Sequence, residues 1–592
     1  MADRGGPLDW LRERLSDKVF RAPTNVGFGN RPHRADKHRG TAPPTDGRVA
    51  YRRRTAGTHG HETTWSGDER SPIMTTAKSF SARMDRQRRK NVKKAQTEAE
   101  AGPARADPDA TPIGDAIQAF HRRGDIAFGI PAHRSGTGRM PPLASRWMGA
   151  EAFRADVTMN KGVDNRHQSW QVEPTAMQLF AQAVGADETL FSANGSTENV
   201  HVAMMAAVRP GETLVMARNG HKSAFSALVL SGAMPVYVEP DYDERWQIAH
   251  GVDPDRLDRV LRAHPEAVAA MVFTPTYYGV SADIRRLAEV AHGHDIPLIT
   301  DDAWGLDYSF CSRLPPSALE CGADLCIGSV HKSLNGLQQT SVLSKQGNRI
   351  DSTRLSLVFE LEQSTSASTL LLSSIDAARR EFQENGERLL GDAIDVALRI
   401  RSAIAQLPGL DLIGDEILGS AGAFAFDPTH VTIDVVGLGL TGFQAADWLR
   451  EHRGIHVELS DHRRVMALVT YADTDATAQR LIDAMAALAD EHAGATPRPV
   501  DDVPSWSQLR TETVMLPRDA FLGATEMVPW RQAAGRVSAE MICPYPPGIP
   551  VVAPGELLTD TIVDYLQCQA AQGVMAEGAA DESLAEFRVV AS

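Results

Sequence analysis

A lysine and an aspartate, 31 residues apart, each follow a short apolar run in this 592-residue chain. Lys332 comes soon after the run Asp324–Ile327, and Asp301 comes soon after Ile296-Pro297-Leu298. Both runs have the length and composition of buried strands, which places each charged side chain near a strand end. A lysine in such a place can be desolvated and kept partly neutral, so that its amine can attack an aldehyde. A buried aspartate can hold a neighbouring nitrogen in its cationic form.

Enzymes that use pyridoxal 5′-phosphate (PLP) require such a pair. Their lysine bonds the aldehyde of the cofactor, and their carboxylate keeps the pyridine nitrogen protonated. The motif Ser329-x-His331-Lys332 is weak evidence by itself, because most lysines that follow a strand are solvated. Asp301 at the end of a second strand makes PLP the favoured cofactor and Lys332 the candidate catalytic residue.

Three further loops suit the same cofactor. The segment Gly195-Ser196-Thr197-Glu198 follows a predicted strand and opens a predicted helix. Free N–H groups and two hydroxyls there form an anion site for a phosphate, although an ordinary capping box is the alternative. His221 follows the predicted strand Thr213–Ala217 and could stack on the pyridine ring, whereas an isolated loop histidine is more often structural. The loop Thr274–Gly279 should line the same pocket, because ligands of open α/β sheets collect at the carboxyl ends of strands.

The elements that position these residues alternate between apolar strands and amphipathic helices, the pattern of an α/β domain with a mostly parallel sheet. The predicted strands of this domain are Thr189–Ser192, Thr213–Ala217, Met234–Val238, Ala269–Thr274, Pro297–Thr300 and Asp324–Ile327. The predicted helices are Ala176–Val184, Glu198–Val208, Ala224–Ser231, Pro254–His264, Ile284–His294 and Ser373–Ala405. A second, smaller α/β domain is predicted from the strands Ala423–Phe426, Val431–Val435, Ile455–Ser460 and Arg464–Val469.

The charge distribution separates a basic N-terminal region from an acidic remainder of the chain. Residues 1–108 hold 23 Lys and Arg against 13 Asp and Glu, a net charge of +10, and the rest of the chain carries −25. Because residues 1–108 lack sustained apolar periodicity, we predict a disordered basic extension there. A nucleic-acid-binding arm is less favoured, because no aromatic residues interleave the basic runs. The predicted domains are a PLP-binding large domain at 109–405, a small α/β domain at 406–510 and a C-terminal module at 511–592.

The bulk composition is that of a globular protein, with 42% apolar and 23% charged residues. No apolar stretch approaches the roughly 20 residues of a membrane span, and the N-terminus lacks the apolar segment of a secretory signal. Five scattered cysteines without metal-ligand spacing are interpreted as reduced thiols. These features predict a cytoplasmic protein without a metal or a membrane partner.

The order of the motifs resembles the Orn/Lys/Arg decarboxylase family of fold-type-I PLP enzymes. The matching positions are His133, Ser196-Thr197, His221, Thr274–Gly279, Asp301 and Ser329-x-His331-Lys332. The resemblance covers about residues 110–570 and extends to C-terminal runs that general aminotransferases lack, Pro517–Phe521 and the interrupted run Ala539-Glu540, Pro544–Pro550 and Pro554–Glu556. Within the family the chain resembles the short, arginine-decarboxylase-like group.

The resemblance implies an aspartate-aminotransferase-like large domain, with active sites at the interface of a homodimer or a higher oligomer. It implies that Lys332 bonds PLP, that Asp301 holds the ring nitrogen and that His221 stacks on the ring. The remaining cofactor-binding residues that it implies are Gly195, Ser196, Thr197, Ala303, Ser329 and His331. Two departures, Ala132 in Pro-Ala-His-Arg (131–134) and Trp304 in Asp-Asp-Ala-Trp (301–304), are expected to lie near the pocket and to affect the substrate.

The predicted reaction is the decarboxylation of arginine, lysine or ornithine to CO2 and an amine used in polyamine biosynthesis. His331 is a candidate proton donor to Cα, and Glu526 and Asp302 are candidates for recognising the distal cation of the substrate. The alternatives are transamination, oxygen-dependent oxidative decarboxylation and a non-catalytic regulatory role. The motifs discriminate weakly among the PLP reactions, because the outcome depends on which Cα bond lies perpendicular to the ring.

Overall fold

The computed structural model describes residues 107–126, 128–139, 142–159, 163, 171–498, 504, 507–545 and 548–591. The predicted basic extension lies outside the described residues, apart from Asp107 and Pro108. The described chain contains three main hydrophobic cores, one each in the regions predicted as the large domain, the small domain and the C-terminal module. The exact domain boundaries stay a prediction.

A seven-stranded sheet lies at the centre of the largest core. Its strands in chain order are β1 Glu188–Ser192, β2 Thr213–Ala217, β3 Met234–Val238, β4 Ala267–Phe273, β5 Leu298–Asp301, β6 Leu325–Ser329 and β7 Ser341–Lys345. The spatial order is β1-β7-β6-β5-β4-β2-β3. β7 runs antiparallel to β1 and β6, and the other neighbouring pairs are parallel. The carboxyl ends of β4, β5 and β6 therefore lie side by side.

The six strands predicted for this domain are confirmed to within three residues at each end, and β7 was missed. Its sequence, Ser-Val-Leu-Ser-Lys, does not look like a buried strand, yet all five residues are buried. The structure satisfies their polar groups locally: Ser344 Oγ lies 2.9 Å from Thr189 Oγ, and Lys345 Nζ donates to the Gly347 carbonyl at 2.7 Å. Because buried polar groups are tolerated when they are hydrogen-bonded, periodicity alone could not identify this strand.

Helices cover the sheet and extend into the smaller domains. They are α1 Pro112–Arg123, α2 Pro142–Met148, α3 Ala150–Ala155, α4 Val172–Val184, α5 Gly195–Ala207, α6 Lys222–Ser231, α7 Pro254–Ala263, α8 Ile284–Gly293, α9 Val330–Ser333, α10 Ser352–Glu362, α11 Thr369–Ile404, α12 Gly442–Trp448, α13 Asp475–Glu491, α14 Pro517–Leu522 and α15 Asp560–Ala571. The 36-residue α11 joins two cores, since its residues up to Ile394 pack in the first and those from Ala397 in the second.

The small domain has a four-stranded antiparallel sheet. Its strands are β8 Asp411–Leu412, β9 His430–Asp434, β10 Leu459–Ser460 and β11 Arg464–Leu468, in the spatial order β8-β9-β11-β10. The predicted strand Ala423–Phe426 is wrong as a member of this sheet. Only Ala425–Phe426 is extended, and it pairs with Val280–Ser281 of the large domain because the chain returns to that domain between β8 and β9.

The C-terminal module contains two antiparallel strand pairs around its own core. β12 Thr525–Pro529 pairs with β15 Glu586–Val590, and β13 Cys543–Tyr545 pairs with β14 Met575–Glu577. None of the five cysteines forms a disulfide. Among the described residues, no helix combines the length and the apolar character needed to cross a membrane.

Candidate active site

A cavity of about 520 Å³ lies at the carboxyl ends of the parallel strands. Every residue that the sequence assigned to the cofactor lines it: Gly195, Ser196, Thr197, His221, Asp301, Ala303, Ser329, His331 and Lys332. These side chains come from loops after β1, β2, β5 and β6. The fold thus brings together residues that are up to 137 positions apart in the chain.

Lys332 lies in the one-turn helix α9, directly after β6. Its Nζ is 4.2 Å from the centroid of the Trp304 ring. Burial lowers the pKa of Lys332 below its ordinary value, and the negative charges of Asp301 and Glu458 oppose that shift. Because desolvation disfavours the ammonium, the amine is more readily neutral than a surface lysine, as a nucleophile requires.

Asp301 is the last residue of β5, and 8% of its surface is exposed. Its Oδ1 accepts a hydrogen bond from the Ala303 N–H at 3.2 Å. Burial raises the pKa of Asp301 to about 6, while the charge of Lys332 and the Ala303 N–H oppose the shift. A cationic nitrogen bound beside this carboxylate would stabilise its ionised form.

His221 caps the N-terminus of α6. Its Nδ1 accepts from the Ser223 N–H at 3.3 Å and lies 2.9 Å from Ser223 Oγ. Burial, followed by the positive charges of Lys332 and Lys222, lowers the pKa of His221 to about 4. The ring is therefore neutral near pH 7, which allows it to lie against an electron-poor ring without charge repulsion.

A group of serine hydroxyls lies at the N-terminus of α5. Ser196 Oγ is 2.6 Å from Ser329 Oγ and 2.9 Å from Ser341 Oγ. Gly195 has a φ of +79°, and a Cβ added there would meet no atom within 4 Å, so the entrance to the helix is open. Helix N-termini with free N–H groups and hydroxyls bind phosphate. Nearby, His331 Nδ1 donates to the Thr340 carbonyl at 2.8 Å, which fixes its ring.

The C-terminal module forms one wall of the cavity through Pro544, Ile549, Val551, Tyr565, Gln569 and Val574, among others. Arg218 fixes this wall to the loop that carries His221. Its guanidinium donates to the carbonyls of Pro550 at 2.7 Å and Val551 at 3.0 Å, and lies 3.1 Å from the buried Glu556 carboxylate. The Lys222 N–H donates to the Gly548 carbonyl at 3.2 Å. The Pro-rich run of the sequence is therefore part of the site.

Three predicted positions do not line the cavity. Asp302 is buried behind it, where burial and the charges of Asp307 and Asp301 raise its pKa well above the ordinary value. Glu526 lies on β12 and pairs with Arg536 at 2.5 Å. His133 lies with its Nε2 3.1 Å from Asp156. Neither Asp302 nor Glu526 lines the cavity of the single chain, and their role in recognising the distal cation stays a prediction. The segment 131–134 does not line it either, and its effect on the substrate stays a prediction.

The small domain contributes residues that the sequence analysis missed. Asp461 lines the cavity, accepts the N–H groups of Arg463 at 2.7 Å and Arg464 at 2.9 Å, and lies 3.1 Å from Arg464 Nε. His462 and Phe443 line the same region. A signal was present: Asp461 follows the predicted strand Ile455–Ser460, as Asp301 follows its own strand.

Comparison with known proteins identifies the family. A family model described as "Orn/Lys/Arg decarboxylase, major domain" matches residues 111–477, and one described as "Orn/Lys/Arg decarboxylase, C-terminal domain" matches residues 505–578. Arginine decarboxylase of Halalkalibacterium halodurans is 37% identical, over 81% of this chain and 98% of that relative. Arginine decarboxylase of Bacillus subtilis is 35% identical, over 81% and 98%. The crystal structure of a lysine decarboxylase of Francisella novicida shares the fold, with a TM-score of 0.68, 20% identity and 81% coverage of both chains. The chain therefore belongs to the Orn/Lys/Arg decarboxylase family and is a decarboxylase by family.

Proposed function

We propose that this chain uses PLP to decarboxylate arginine. The observation that carries the proposal is that the half-buried Lys332 and the buried Asp301 line one cavity in a member of this family. The relatives named arginine decarboxylase are 35–37% identical over most of their length, and they support arginine ahead of lysine and ornithine.

The residues of the cavity fit PLP. Lys332 would bond its aldehyde, because burial favours the neutral amine. Asp301 would hold the ring nitrogen, because its buried carboxylate needs a cation to ionise fully. His221 would lie against the ring. The phosphate would bind at the open start of α5, with Gly195, Ser196, Thr197, Ser329 and His331 around it.

When bound, PLP supplies a sink for the electron pair that departing CO2 leaves on Cα. The chain's own residues set up that departure. Apolar side chains along the cavity, such as Phe273, Ile549 and Val551, exclude water from the substrate carboxylate and so favour its loss. His331 can pass a proton to Cα once its Nε2 has been protonated, because the Thr340 carbonyl holds Nδ1–H and leaves Nε2 to exchange protons.

The decisive experiment is an assay of the purified protein with PLP against arginine, lysine and ornithine. We expect one CO2 and one amine per arginine, with kcat/KM for arginine at least about tenfold above that for the two shorter cations. Keto acid formation would show transamination, and oxygen uptake would show oxidative decarboxylation. Either result, or equal turnover of all three amino acids, would contradict the proposal.

We also propose that two copies of this chain form a homodimer. Large apolar side chains are exposed over a short stretch of the single chain: Ile126, Phe128, Ile130, Leu143, Trp147 and Met148. Helices α2 and α3, in the same region, have no buried residues. Contiguous apolar surface of this kind marks an interaction site, and a twofold axis lets one patch cover its own copy.

Replacing Trp147, which is 77% exposed, with glutamate should convert the dimer into a monomer. In a symmetric dimer each subunit would bury one such glutamate in the interface, and neither glutamate would have a positive partner to offset its desolvation. Sedimentation velocity would measure the mass. Leu398→Glu, at an exposed apolar position on the small-domain end of α11, is the matched control and should leave the dimer intact. A monomeric wild-type protein would contradict the proposal.

The proposed reaction also suggests how its product is used and where the protein is located. The amine from arginine decarboxylation is suited to consumption by an enzyme that makes polyamines. A cytoplasmic location is proposed with it, supported by the lack of a disulfide among the five cysteines.

A further inference from the structure

The indole of Trp304 is fixed beside the amine of Lys332. Trp304 is 8% exposed, and its ring centroid lies 4.2 Å from Lys332 Nζ. Two other rings hold it in place: His430 meets it edge-on with centroids 5.7 Å apart, and Tyr277 lies 6.0 Å away. A cation within about 6 Å of a tryptophan face is attracted by the electron density of the ring. The indole is therefore oriented before any ligand arrives.

The amine has no other close partner in the part of the chain that the structure describes, where Nζ makes no hydrogen bond and no ion pair within 4 Å. The carboxylates of Asp301 and Glu458 act on it only through their longer-range charge. His221 and His331 face it as neutral rings near pH 7, because burial lowers the pKa of both. The indole face is thus in direct contact with the amine and adds to the carboxylates in stabilising a positive charge on Lys332.

Acidic groups also lie near Trp304 and Lys332. A second cavity, of about 10 Å³, is lined by Trp304, Lys332, Asp307, Asp427 and His430, among others. His430 Nδ1 is 3.3 Å from Asp427 Oδ2. Burial, together with the charge of Asp427, raises the pKa of Asp307 well above its ordinary value. The Asp427 carboxylate is satisfied by a neighbouring residue, because its Oδ1 accepts from the Thr429 N–H at 2.9 Å and from the Thr429 hydroxyl at 2.6 Å.

We propose that the face of Trp304 is the resting place of the Lys332 ammonium whenever this lysine is not bonded to the cofactor. The inference rests on the proposed function for the cofactor and adds Trp304 as a positioning residue. During turnover the substrate amine takes the place of Lys332, and the released lysine must stay close without blocking the substrate. Held over the indole as a cation, it cannot attack until it gives up one proton.

Removing the indole face should make the amine easier to deprotonate. A cation–π contact in a desolvated site is worth about 0.5–1.5 pKa units. In Trp304→Leu, which keeps the site apolar, the pKa of the Lys332 amine should fall by that amount, and in Trp304→Phe by less. The measurement is the pH midpoint for the rate of PLP uptake by the cofactor-free protein, followed by visible absorbance. Midpoints that coincide in all three proteins would overturn the inference.

Fluorinated tryptophan tests the same point without changing the shape of the site. Fluorination withdraws charge from the ring face, so protein grown with 5-fluorotryptophan should show a lower midpoint. All nine tryptophans are replaced in such protein. The same labelling of the Trp304→Phe variant isolates position 304 and should leave the midpoint unchanged. A fluorination shift that persists in Trp304→Phe would overturn the assignment.

A readout that does not depend on PLP separates this inference from the proposed function. In cofactor-free protein labelled with 13C-lysine, the Lys332 Cε–H signal is assigned by its absence from Lys332→Ala. We expect it to be shifted upfield by the indole ring current, and to lose that shift in Trp304→Leu. A wild-type signal at the position of a solvated lysine would overturn the resting place, whatever PLP does. Normal ring-current shifts without any PLP uptake would overturn the proposed function alone.

Discussion

Lys332→Ala should abolish turnover and remove the visible absorbance of PLP-treated protein. The loss expected is at least about 10⁴-fold in kcat, because a covalently positioned group is replaced by one that must act from solution. Burial of the amine makes this lysine the reactive one in the cavity. Stopped assays of CO2 release and an absorbance spectrum after gel filtration would measure both effects.

Lys222→Ala is the matched control for that experiment. Lys222 follows His221 directly but lies outside the main cavity and pairs with the Glu577 carboxylate. Its removal should leave the visible absorbance intact. If Lys332→Ala retained the absorbance while Lys222→Ala lost it, the wrong lysine would have been assigned. Ordinary turnover by Lys332→Ala would end the PLP proposal.

Asp301→Asn should lower activity and raise the stability of the cofactor-free protein. With PLP bound, asparagine leaves the ring nitrogen without its counter-charge. Breaking a buried ion pair costs about 3–5 kcal/mol, which corresponds to about a 10²- to 10⁴-fold loss in kcat. The loss should fall on kcat more than on KM, because the sink for electrons is weakened while the walls that bind substrate are unchanged.

The stability effect follows from the raised pKa of Asp301. In the cofactor-free protein this pKa is about 6 against an ordinary value of 3.8. The native state therefore holds this proton more tightly than the unfolded state, and the free energy of unfolding falls as pH rises from about 4 to about 6. The accumulated penalty at neutral pH is on the order of 3 kcal/mol. Asparagine carries no such penalty.

Denaturant unfolding of both cofactor-free proteins would measure this difference. At pH 7.5 Asp301→Asn should be the more stable protein, and the difference should shrink as pH falls toward 4. Saturating PLP should reverse the order, since it binds the native wild-type protein more tightly. Equal stability of the two cofactor-free proteins at pH 7.5 would show that the Asp301 carboxylate is not held in a desolvating environment.

The parallel part of the sheet and the central residues of the site could be predicted from sequence because both follow from one property of parallel sheets. Each parallel strand is a short apolar run, and the residues at its carboxyl end meet their counterparts at one sheet edge. Asp301, Ser329 and Lys332 obey that rule, and so does Thr274–Gly279, part of which lines the cavity. Strand β7 was not predicted because its serines and lysine look exposed in the sequence, whereas hydrogen bonds within the fold satisfy them.

Contributions from other domains were harder to predict. Asp461 reaches the cavity only because the small domain folds back over it, and the strand that precedes it is shorter than its apolar pattern suggested. Glu526 was chosen by charge alone, and its place on β12 depends on pairing with β15 some 60 residues later. The closeness of Trp304 to the Lys332 amine depends on ring packing that a linear motif does not encode.

The hydrogen bonds of Arg218 to Pro550, Val551 and Glu556 attach the last 80 or so residues to the large domain, so these residues are needed to close the cavity. Arg218 also lies over the rings of Phe225 and Tyr237, at 4.8 Å and 5.1 Å, and these contacts help to hold its guanidinium in place. A chain that ended before residue 511 would lack the groups that accept hydrogen bonds from this guanidinium. It would also lack one wall of the cavity, so bulk water would enter. Such a fragment would keep every residue proposed to bind PLP, but water would reach the substrate carboxylate and disfavour its loss.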